Sequence, residues 1–540
     1  MAAPRRLPAG EQGSAAIELE LFRQLLVAVA EEMGVVLRKT SYSANIKERR
    51  DFSCAVYDAA QRTVAMGEYI PVHLGAMPLA VRSVTEAIKL GPGDIAIVND
   101  PYQGGTHLPD ISAVAGVFLK GSRKPAFFVA NRAHHADVGG MSPGSMPLAR
   151  EIYQEGIRIP PVLLQRNGRI ERDVLGLVLA NVRTPEEREG DLLAQCMAIR
   201  RGQERLAELA RKYGAGRVEA NMQALQRYSE RMMRAALLRL PEGAWSFEDF
   251  LDDDGMSSRP VKIAVTITLR GGTAVVDFTG TDPQTEGCVN ANLAVTMAAT
   301  MYVFRCLLGE DVPYTAGMMN PIRVLAPEGT VVNARPPAAM AAGNVETSQR
   351  ITDVLLGALA QAAPELIPAA SSGTMNNLSL GGWDPVRGRP FAYYETIAGG
   401  MGASRRFDGE PATHSHMTNS WNTPIEALEH QYPIRLRSYR IRTRSGGRGE
   451  HRGGDGIIRE FEFLCPATVT LLSDRRRRGP YGLSGGRPGR PGHNWLIRGK
   501  RGVGLPGKAE VAVDMREVLR IETPGGGGFG RLRPDGSTEA

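Results

Sequence analysis

Cysteine is scarce in this chain of 540 residues, and the five cysteines lie far apart with no C-x-x-C pair. This scarcity argues against a disulfide framework and against a cysteine zinc site, and it favours a reducing compartment. Long apolar runs are also missing, since no stretch of about 18 or more consecutive apolar residues occurs. The N-terminal residues have no apolar segment of the kind found in secretory signals. We therefore expect a cytoplasmic protein without a membrane span.

Positively charged residues only slightly outnumber negatively charged residues. The chain has 65 Lys and Arg against 58 Asp and Glu, a net charge of +7, and part of that charge is local. The run Arg475-Arg476-Arg477-Arg478 has no interleaved aromatic residues, unlike a single-stranded nucleic-acid surface. The sequence therefore predicts no nucleic-acid partner, and it predicts that this run forms a solvated turn or the edge of a site for an anionic ligand.

A complete phosphate-binding motif is absent as well. Residues 502–509 nearly match G-x-x-x-x-G-K-[ST], but Ala509 replaces the hydroxyl residue and Pro506 lies inside the loop. Residues 525–530 match G-x-G-x-x-G as letters, but only ten residues follow them and provide no helix to face a phosphate. We interpret both as structural segments and expect no nucleotide site in this chain.

The length and the pattern of apolar residues predict a multidomain protein of mixed α/β (α+β) class with a β-rich C-terminal part. We expect an N-terminal α/β region over 15–240 that carries a metal site. A central mixed region over 241–438 would supply a pocket wall, and short apolar runs between Gly, Arg and Pro turns predict strands over 439–530. Residues 185–240 have no internal proline, and their composition predicts a pair of long helices.

Three of the nine histidines lie in two short glycine-rich segments, residues 99–110 and 133–140. Each segment has a His-x-x-Asp pair beside a Gly-Gly dipeptide. Two predicted strands, over 111–119 and 126–130, separate the pairs, and a hairpin between these strands would bring the first pair and a histidine of the second together. The pairs are His107 with Asp110 and His134 with Asp137.

Imidazole nitrogen and carboxylate oxygen together suit a divalent cation such as zinc, manganese or iron. The ligands would be His107, Asp110 and one residue of the His134-His135 doublet. A further carboxylate would complete the set. The candidates for that carboxylate are Glu48, Asp100 and Asp137. In the alternative interpretation, the aspartates form turns and the histidines are hydrogen-bonded loop residues.

A second polar segment, residues 413–429, follows a glycine-rich stretch and is dense in side chains that bind polar groups. We interpret it as the wall of a substrate pocket. His414, His416 and Asn419 would contact the substrate there, with Asp100 as a further contact. Ser415 between the two histidines is a weak candidate for a nucleophile, because no G-x-S-x-G motif supports it.

Several motifs together resemble the hydantoinase B/5-oxoprolinase family. They are the segments 48–53, 99–110, 134–140, 277–284, 415–419 and 523–530. The acetone carboxylase α subunits, a related branch, hold manganese through a glutamate, a His-x-x-Asp pair and a further histidine. Carried over by motif, these ligands are Glu48, His107, Asp110 and His134, with His135 as the alternative for the last. The resemblance leaves His135 and Asp137 as catalytic candidates, Asp137 as a general base or as a partner of a histidine.

The resemblance implies one component of an ATP-dependent cyclic amide hydrolase that opens a hydantoin or 5-oxoproline-type lactam ring, of the N-methylhydantoinase B type. A hydantoinase A-type partner would bind and consume ATP in a hetero-oligomer, while this chain would use a divalent metal (Mn, Zn or Fe) for hydrolysis. Two alternatives stay open at this point. One is an acetone or acetophenone carboxylase α-type chain, and the other is a non-catalytic scaffold for the ATP-binding partner.

Overall fold

The computed structural model describes residues 9–67 and 70–532. Helices and strands alternate along the first half of the chain, and strands predominate after residue 434. The helices are α1 (Ala9–Thr40), α2 (Ala44–Lys47), α3 (Pro71–Ala87), α4 (Arg172–Leu179), α5 (Pro185–Tyr213), α6 (Ala215–Leu237), α7 (Leu293–Arg305), α8 (Ser348–Ala362) and α9 (Ile425–Gln431). The strands are β1 (Phe52–Tyr57), β2 (Thr63–Gly67), β3 (Ile95–Val98), β4 (Asp110–Val117), β5 (Phe127–His134), β6 (Val162–Arg166), β7 (Arg169–Ile170), β8 (Gly243–Leu251), β9 (Val261–Arg270), β10 (Thr273–Asp277), β11 (Ile322–Leu325), β12 (Asn377–Asp384), β13 (Arg389–Glu395), β14 (Ile434–Arg442), β15 (Gly456–Phe463), β16 (Ala467–Leu472), β17 (His493–Arg498), β18 (Arg501–Leu505), β19 (Lys508–Val513) and β20 (Val518–Glu522).

The N-terminal sheet positions the histidine segments. Its seven strands run in the order β2-β1-β5-β4-β3-β6-β7, with antiparallel neighbours. Helices α1 and α5 pack on one face and α3 on the other, so β1, β4 and β5 are buried along their whole length. Because side chains alternate along a strand, Cys54 and Val56 join the core with α1 and α5, while Ala55 and Tyr57 join the core with α3.

The long helices predicted over 185–240 are confirmed as α5 and α6. Pro185 opens α5, acidic residues occupy its first turn, and Arg211 and Lys212 occupy its last turn, as the helix dipole favours. Gly214 follows with φ of 85°, a value that L side chains rarely adopt, and it separates the two helices. Among the described residues, no helix combines the length and apolarity needed to span a bilayer.

Three further sheets follow, which confirms the mixed, multidomain class and the β-rich C-terminal part. Their strand orders are β11-β10-β9-β8, β13-β12-β16-β19 and β14-β15-β20-β17-β18. Strand β12 pairs with β16, so one sheet joins strands from both sides of residue 438. The domain bounds at residues 240 and 438 stay a prediction.

The arginine run corrects one expectation. Arg475 is buried rather than solvated, and it forms ion pairs with Asp249 and Asp353 at 2.6 Å each. The near-match to a phosphate loop spans the end of one strand and the start of the next: residues 502–505 lie in β18, and Lys508 opens β19 with its amino group 3.0 Å from Asp474. The interpretation of that segment as structural is in keeping with this geometry.

Candidate metal centre

Two histidines and an aspartate meet at one end of the β4–β5 hairpin. Asp110 and His134 are direct partners in the antiparallel register, and His107 precedes Asp110 by one short turn. The nitrogen Nε2 of His107 and the nitrogen Nδ1 of His134 lie 3.2 Å apart, and each is 3.3 Å from Oδ1 of Asp110. The predicted hairpin thus brings His107, Asp110 and His134 together.

The triangle of donor atoms matches the ligand spacing of a divalent cation. Bonds of about 2.0–2.2 Å to nitrogen and oxygen, at tetrahedral or octahedral angles, separate neighbouring ligand atoms by roughly 3.0–3.5 Å. All three residues are buried. Within the described part of the chain, Oδ1 of Asp110, one corner of this triangle, has no hydrogen-bond partner. Buried polar atoms are seldom left unpaired, so the donor set fits a bound metal.

Side chains from three other elements hold the second carboxylate oxygen of Asp110. Thr106 Oγ1 donates to Oδ2 at 2.6 Å, Asn344 Nδ2 donates at 3.2 Å, and His73 Nε2 lies 3.4 Å away. The Nδ1–H of His107 donates to the carbonyl of Ala341 at 3.2 Å, which leaves Nε2 of that ring free to accept a metal. One oxygen of Asp110 therefore faces the two imidazoles while the other is fixed in place.

The electrostatics keep the aspartate charged and favour a neutral imidazole. Burial alone would raise the pKa of Asp110, but the imidazoles of His107 and His73 hold it well below its usual range. Burial lowers the pKa of His134 against the opposing effect of Asp110. An ionised carboxylate beside a neutral imidazole is the protonation state that metal binding requires.

The ring of His134 stacks on Tyr394 of β13, with centroids 4.2 Å apart. The Tyr394 hydroxyl donates to Oδ1 of Asn377 at 2.7 Å, and Nδ2 of Asn377 donates to Oε1 of Glu346 at 2.9 Å. Burial raises the pKa of Glu346 to about 7. Glu346 and Asn344 share one π-helical turn, Gly343–Thr347, so this turn contacts the centre both directly and through Tyr394.

The structure does not bring His135 and Asp137 to this centre. His135 faces the opposite side of the sheet, where its Nε2 lies 2.9 Å from Oε1 of Gln195 on α5. Asp137 holds a turn: it accepts from the backbone of Gly139 and forms an ion pair of 3.0 Å with Arg183. The geometry therefore favours structural roles for both catalytic candidates.

Glu48 and Asp100 lie outside the three-residue group as well. Glu48 is half-buried at the C-terminal end of α2. Asn45 of the same helix donates to the carbonyl of His134 at 3.2 Å. Asp100 caps a short 3₁₀ turn, accepting from the backbone of Tyr102 at 3.0 Å, and faces Arg158 at 3.6 Å. Glu48 as fourth ligand and Asp100 as substrate contact stay predictions.

A cavity of about 440 Å³ has His414, His416 and Asn419 in its wall. Residues close along the chain to that wall also contact the residues of the metal centre. Pro71 lines the cavity at the start of α3, and His73, two residues later, faces Asp110. On the other side, Ser420 accepts from Arg49, whose guanidinium donates to the carbonyl of Tyr394.

Sequence reasoning missed His73, Asn344, Glu346 and Tyr394. These residues are far along the chain from the His-x-x-Asp pair, and no local spacing connects them to it. Strand alternation could have decided between His134 and His135 as the ligand. It puts His134 on the same face as Ala130, which lies in the core with α3. That face holds Asp110.

Comparison with known proteins identifies the family of this chain. A family model described as hydantoinase B/oxoprolinase matches residues 15–532. The 5-oxoprolinase 1 of Arabidopsis thaliana is 40% identical over 544 residues, which cover 95% of this chain and 42% of the plant protein. The chain thus spans less than half the length of that relative. The B-type component of a putative D-/L-hydantoinase from Pseudomonas sp. (strain NS671) is 31% identical and is covered to 88%, with 93% of this chain aligned.

Two solved structures share the fold. An ATP-dependent caprolactamase from Pseudomonas jessenii superposes with a TM-score of 0.89 at 30% identity, over 96% of this chain and 91% of that one. A nucleotide-free acetone carboxylase superposes with a TM-score of 0.86 at 18% identity, over 95% and 76% of the two chains, and shows likeness of fold alone. The resemblance predicted from the motifs is confirmed, and the chain belongs to the hydantoinase B/oxoprolinase family.

Proposed function

We propose that this chain is the ring-opening component of an ATP-dependent cyclic amide hydrolase. Its substrate would be a hydantoin or a 5-oxoproline-type lactam, and a hydantoinase A-type partner would consume the ATP. The observation that carries the proposal is the buried triangle of His107, Asp110 and His134, whose donor atoms have the spacing of metal ligands. The names of the caprolactamase and of the hydantoinase relative support the same chemistry.

We assign the consumption of ATP to the partner because the sequence of this chain predicts no nucleotide site. Opening an unstrained amide ring has little driving force, so coupling to ATP makes the step favourable. In the reaction we propose, the partner transfers the γ-phosphoryl group of ATP to the amide oxygen. Water then adds to the activated carbon, and the C–N bond breaks as the ring nitrogen takes a proton, which leaves an acyl phosphate. A second water hydrolyses the acyl phosphate to the acid and phosphate. The products are ADP, phosphate and the ring-opened acid.

The residues of this chain prepare the second half of that sequence. His107, Asp110 and His134, with Glu48 as the fourth ligand, would hold a divalent cation (Mn, Zn or Fe). Such a cation, when bound, polarises a carbonyl and lowers the pKa of water. Thr106, Asn344 and His73 orient Asp110. The cavity lined by His414, His416 and Asn419 would hold the ring.

The test is reconstitution of the chain with a hydantoinase A-type partner. ADP and ring-opened product are measured in the same sample with hydantoins and lactams, and they should appear in equal amounts. Asp110→Asn should abolish product formation, whereas His451→Asn, which alters an exposed His–Asp pair, should leave it intact. Product that contains carbon from bicarbonate would identify a carboxylase instead. Full activity of Asp110→Asn would exclude the proposed metal-assisted step.

A further inference from the structure

One short segment, residues 338–344, contacts two of the three residues of the metal centre. The carbonyl of Ala341 accepts from Nδ1 of His107 at 3.2 Å, and Nδ2 of Asn344 donates to Oδ2 of Asp110 at 3.2 Å. Every residue of the segment is buried. The position of this segment therefore affects the direction in which both ligands point.

The carboxyl group of Glu155 holds the middle of this segment. Its Oε1 accepts from the backbone N–H of Met340 at 2.7 Å and from that of Ala341 at 2.8 Å. Because the N–H and the carbonyl of Ala341 belong to one residue, a bond that fixes the N–H also restricts the carbonyl that faces His107. Two hydrogen bonds in series thus join Glu155 to a metal ligand.

The backbone of Glu155 is fixed in turn by the second histidine segment, residues 133–140. Gly140 has a φ of 83°, and a Cβ there would lie 2.5 Å from the carbonyl carbon of Glu155. Glycine is the residue that permits both the backbone conformation and this approach. The N–H of Ile152, in the turn before Glu155, donates to the carbonyl of Pro337 at 2.9 Å. Glu155 is therefore held against the segment that it orients.

The chemistry of Glu155 favours a role as a hydrogen-bond acceptor. The side chain is fully buried, and burial raises its pKa to about 8 against the effect of the N–H groups of Ala341 and Met340. The carboxyl group is therefore largely neutral near pH 7. Its Oε2 has no hydrogen-bond partner within the described residues. A buried polar atom without a partner lowers stability, so stability alone does not account for a glutamate at this position.

We propose that Glu155 is a positioning residue of the metal centre. By holding Met340 and Ala341, it fixes the carbonyl that orients His107, and it thereby raises the affinity for a divalent cation. A metal-ligating histidine depends on the acceptor at its other ring nitrogen for its tautomer and its orientation. This inference rests on the metal site of the proposed function, but it concerns binding and can be tested without turnover.

The test compares two substitutions of Glu155 in the full chain. Glu155→Met has a similar volume and removes the acceptor, whereas Glu155→Gln keeps an oxygen for Met340 and Ala341. The dissociation constants of Zn²⁺ and Mn²⁺ are measured at pH 7 by competition with a chromogenic chelator. Glu155→Met should bind about tenfold more weakly than the wild type, and Glu155→Gln should bind normally. Unchanged affinity in Glu155→Met, or an equal loss in both variants, overturns the inference.

Asp384→Leu is the matched control for the loss of such an acceptor. The buried carboxylate of Asp384 also accepts from two consecutive backbone N–H groups, those of Val386 and Arg387, at 2.9 and 3.1 Å. These bonds lie in the turn between β12 and β13. Asp384→Leu should lower the thermal midpoint and leave metal affinity unchanged. If it weakens metal binding as much as Glu155→Met does, the effect is a general loss of stability and the inference fails.

A shorter carboxylate gives the same test if Glu155→Met does not fold. Glu155→Asp is one methylene shorter and cannot keep both bonds, so it should bind metal about threefold more weakly. Unchanged affinity in Glu155→Asp overturns the inference.

Metal binding and turnover separate this inference from the proposed function. If Glu155→Met loses affinity but the wild-type complex with the ATP-binding partner opens no ring, the inference stands and the proposed function fails. If Glu155→Met keeps full affinity and the wild-type complex opens the ring, the proposed function stands and the inference fails. If the wild type binds neither cation, both fail.

Discussion

The imidazole of His134 lies face to face with the phenol ring of Tyr394, with 4.2 Å between the centroids and 16° between the planes. His134 comes from the N-terminal sheet and Tyr394 from β13, so this contact joins two sheets at the metal centre. The stack fixes the plane of the ring, while Asp110 fixes the direction of Nδ1. Asp110 and Tyr394, on different sheets, therefore determine the orientation of the His134 ring.

Tyr394→Ala should remove the support for His134 and lower metal affinity. Loss of a residue that orients a metal ligand typically costs 10–100-fold in affinity, and the void would destabilise the fold by about 3–5 kcal/mol. Tyr394→Phe keeps the stack and loses only the hydroxyl bond to Asn377, so metal content should be close to normal. Metal content after dialysis and the thermal midpoint provide the readouts.

Tyr393→Phe is the matched control for these variants. Its ring packs against Tyr432 on the other side of β13, and its hydroxyl donates to Glu395 at 2.7 Å. It should alter stability without altering metal content. Normal metal affinity in Tyr394→Ala would show that the stack has no role in holding His134.

The ligand set predicts a stability effect of metal removal. A cation that binds only the folded chain stabilises it, by about 4 kcal/mol at 1,000 times its dissociation constant. A chelator should therefore lower the thermal midpoint of the wild type by several degrees, and it should leave Asp110→Asn unchanged. The same shift in Asp110→Asn would mean that the chelator acts elsewhere.

Glu48→Gln tests the fourth ligand separately. If Glu48 completes the set, this variant should bind metal at least tenfold more weakly than the wild type while it folds normally. Glu48 is half-buried, so the substitution costs little stability. Unchanged affinity would assign the fourth position to another group. His107→Ala and His134→Ala are the reference for complete loss of metal binding, because each should lose nearly all bound metal.

The sequence predicted the parts of this centre that depend on local pattern. Apolar periodicity indicated the helices over 185–240, and the two apolar runs after His107 indicated the hairpin that sets Asp110 opposite His134. The rest depends on contacts between distant segments. Asn344 reaches Asp110 across 234 positions of the chain, and the packing of α8 on α7 and of α7 on α3 brings these two residues together.

The expectations for Arg475 and Asp137 differ from the structure for physical reasons as well. Arg475 belongs to a run of four arginines, which by composition favours a solvated surface. Its burial depends on Asp249 and Asp353, from two other elements. Asp137 has the spacing of a ligand, but turn formation competes for the same side chain, and Arg183 pairs with it. The sequence shows the His-x-x-Asp spacing, but it does not show which residue pairs with Asp137 in the fold.

Glu155 should make stability depend on pH between its unfolded pKa of 4.5 and its folded pKa of about 8. Burial raises its pKa to about 8, against the effect of the backbone N–H groups of Ala341 and Met340. Because this pKa is above the unfolded value of 4.5, the folded chain holds more protons than the unfolded chain between the two values. Stability from this group is therefore present at low pH and is lost as pH rises through about 8, by at most about 1.4 kcal/mol per pH unit.

Glu155→Gln isolates this contribution. The amide oxygen can still accept from Met340 and Ala341, at 2.7 and 2.8 Å in the wild type, so the fold and the carbonyl that orients His107 are retained. Between pH 6.5 and 8, the thermal midpoint of the variant should fall less than that of the wild type. Glu219→Gln, at an exposed site on α6, should follow the wild type. Parallel curves for all three proteins would refute the assignment.

Arg350 is the centre of a buried ionic network whose disruption should be costly. Its guanidinium lies 3.0 Å from Asp249, 2.8 Å from Asp353 and 3.0 Å from Asp474, and its side chain is fully buried. Arg350→Met fills a similar volume but leaves carboxylates with less compensating charge in a buried place. Breaking one partner of a buried pair typically costs about 3–5 kcal/mol, and we expect a loss in this range by denaturant unfolding.

Arg335→Met is the control for the loss of one arginine from an ion pair. Arg335 lies 2.9 Å from Glu328, and the side chains are 63% and 69% exposed. Water already screens that pair, so its loss should cost about 0–1 kcal/mol. The ion-pair distances at the two arginines are similar, so burial and the number of carboxylate partners separate the expected effects. A small loss in Arg350→Met, similar to that of Arg335→Met, would mean that Arg475 and Lys508 already neutralise Asp353 and Asp474 without Arg350.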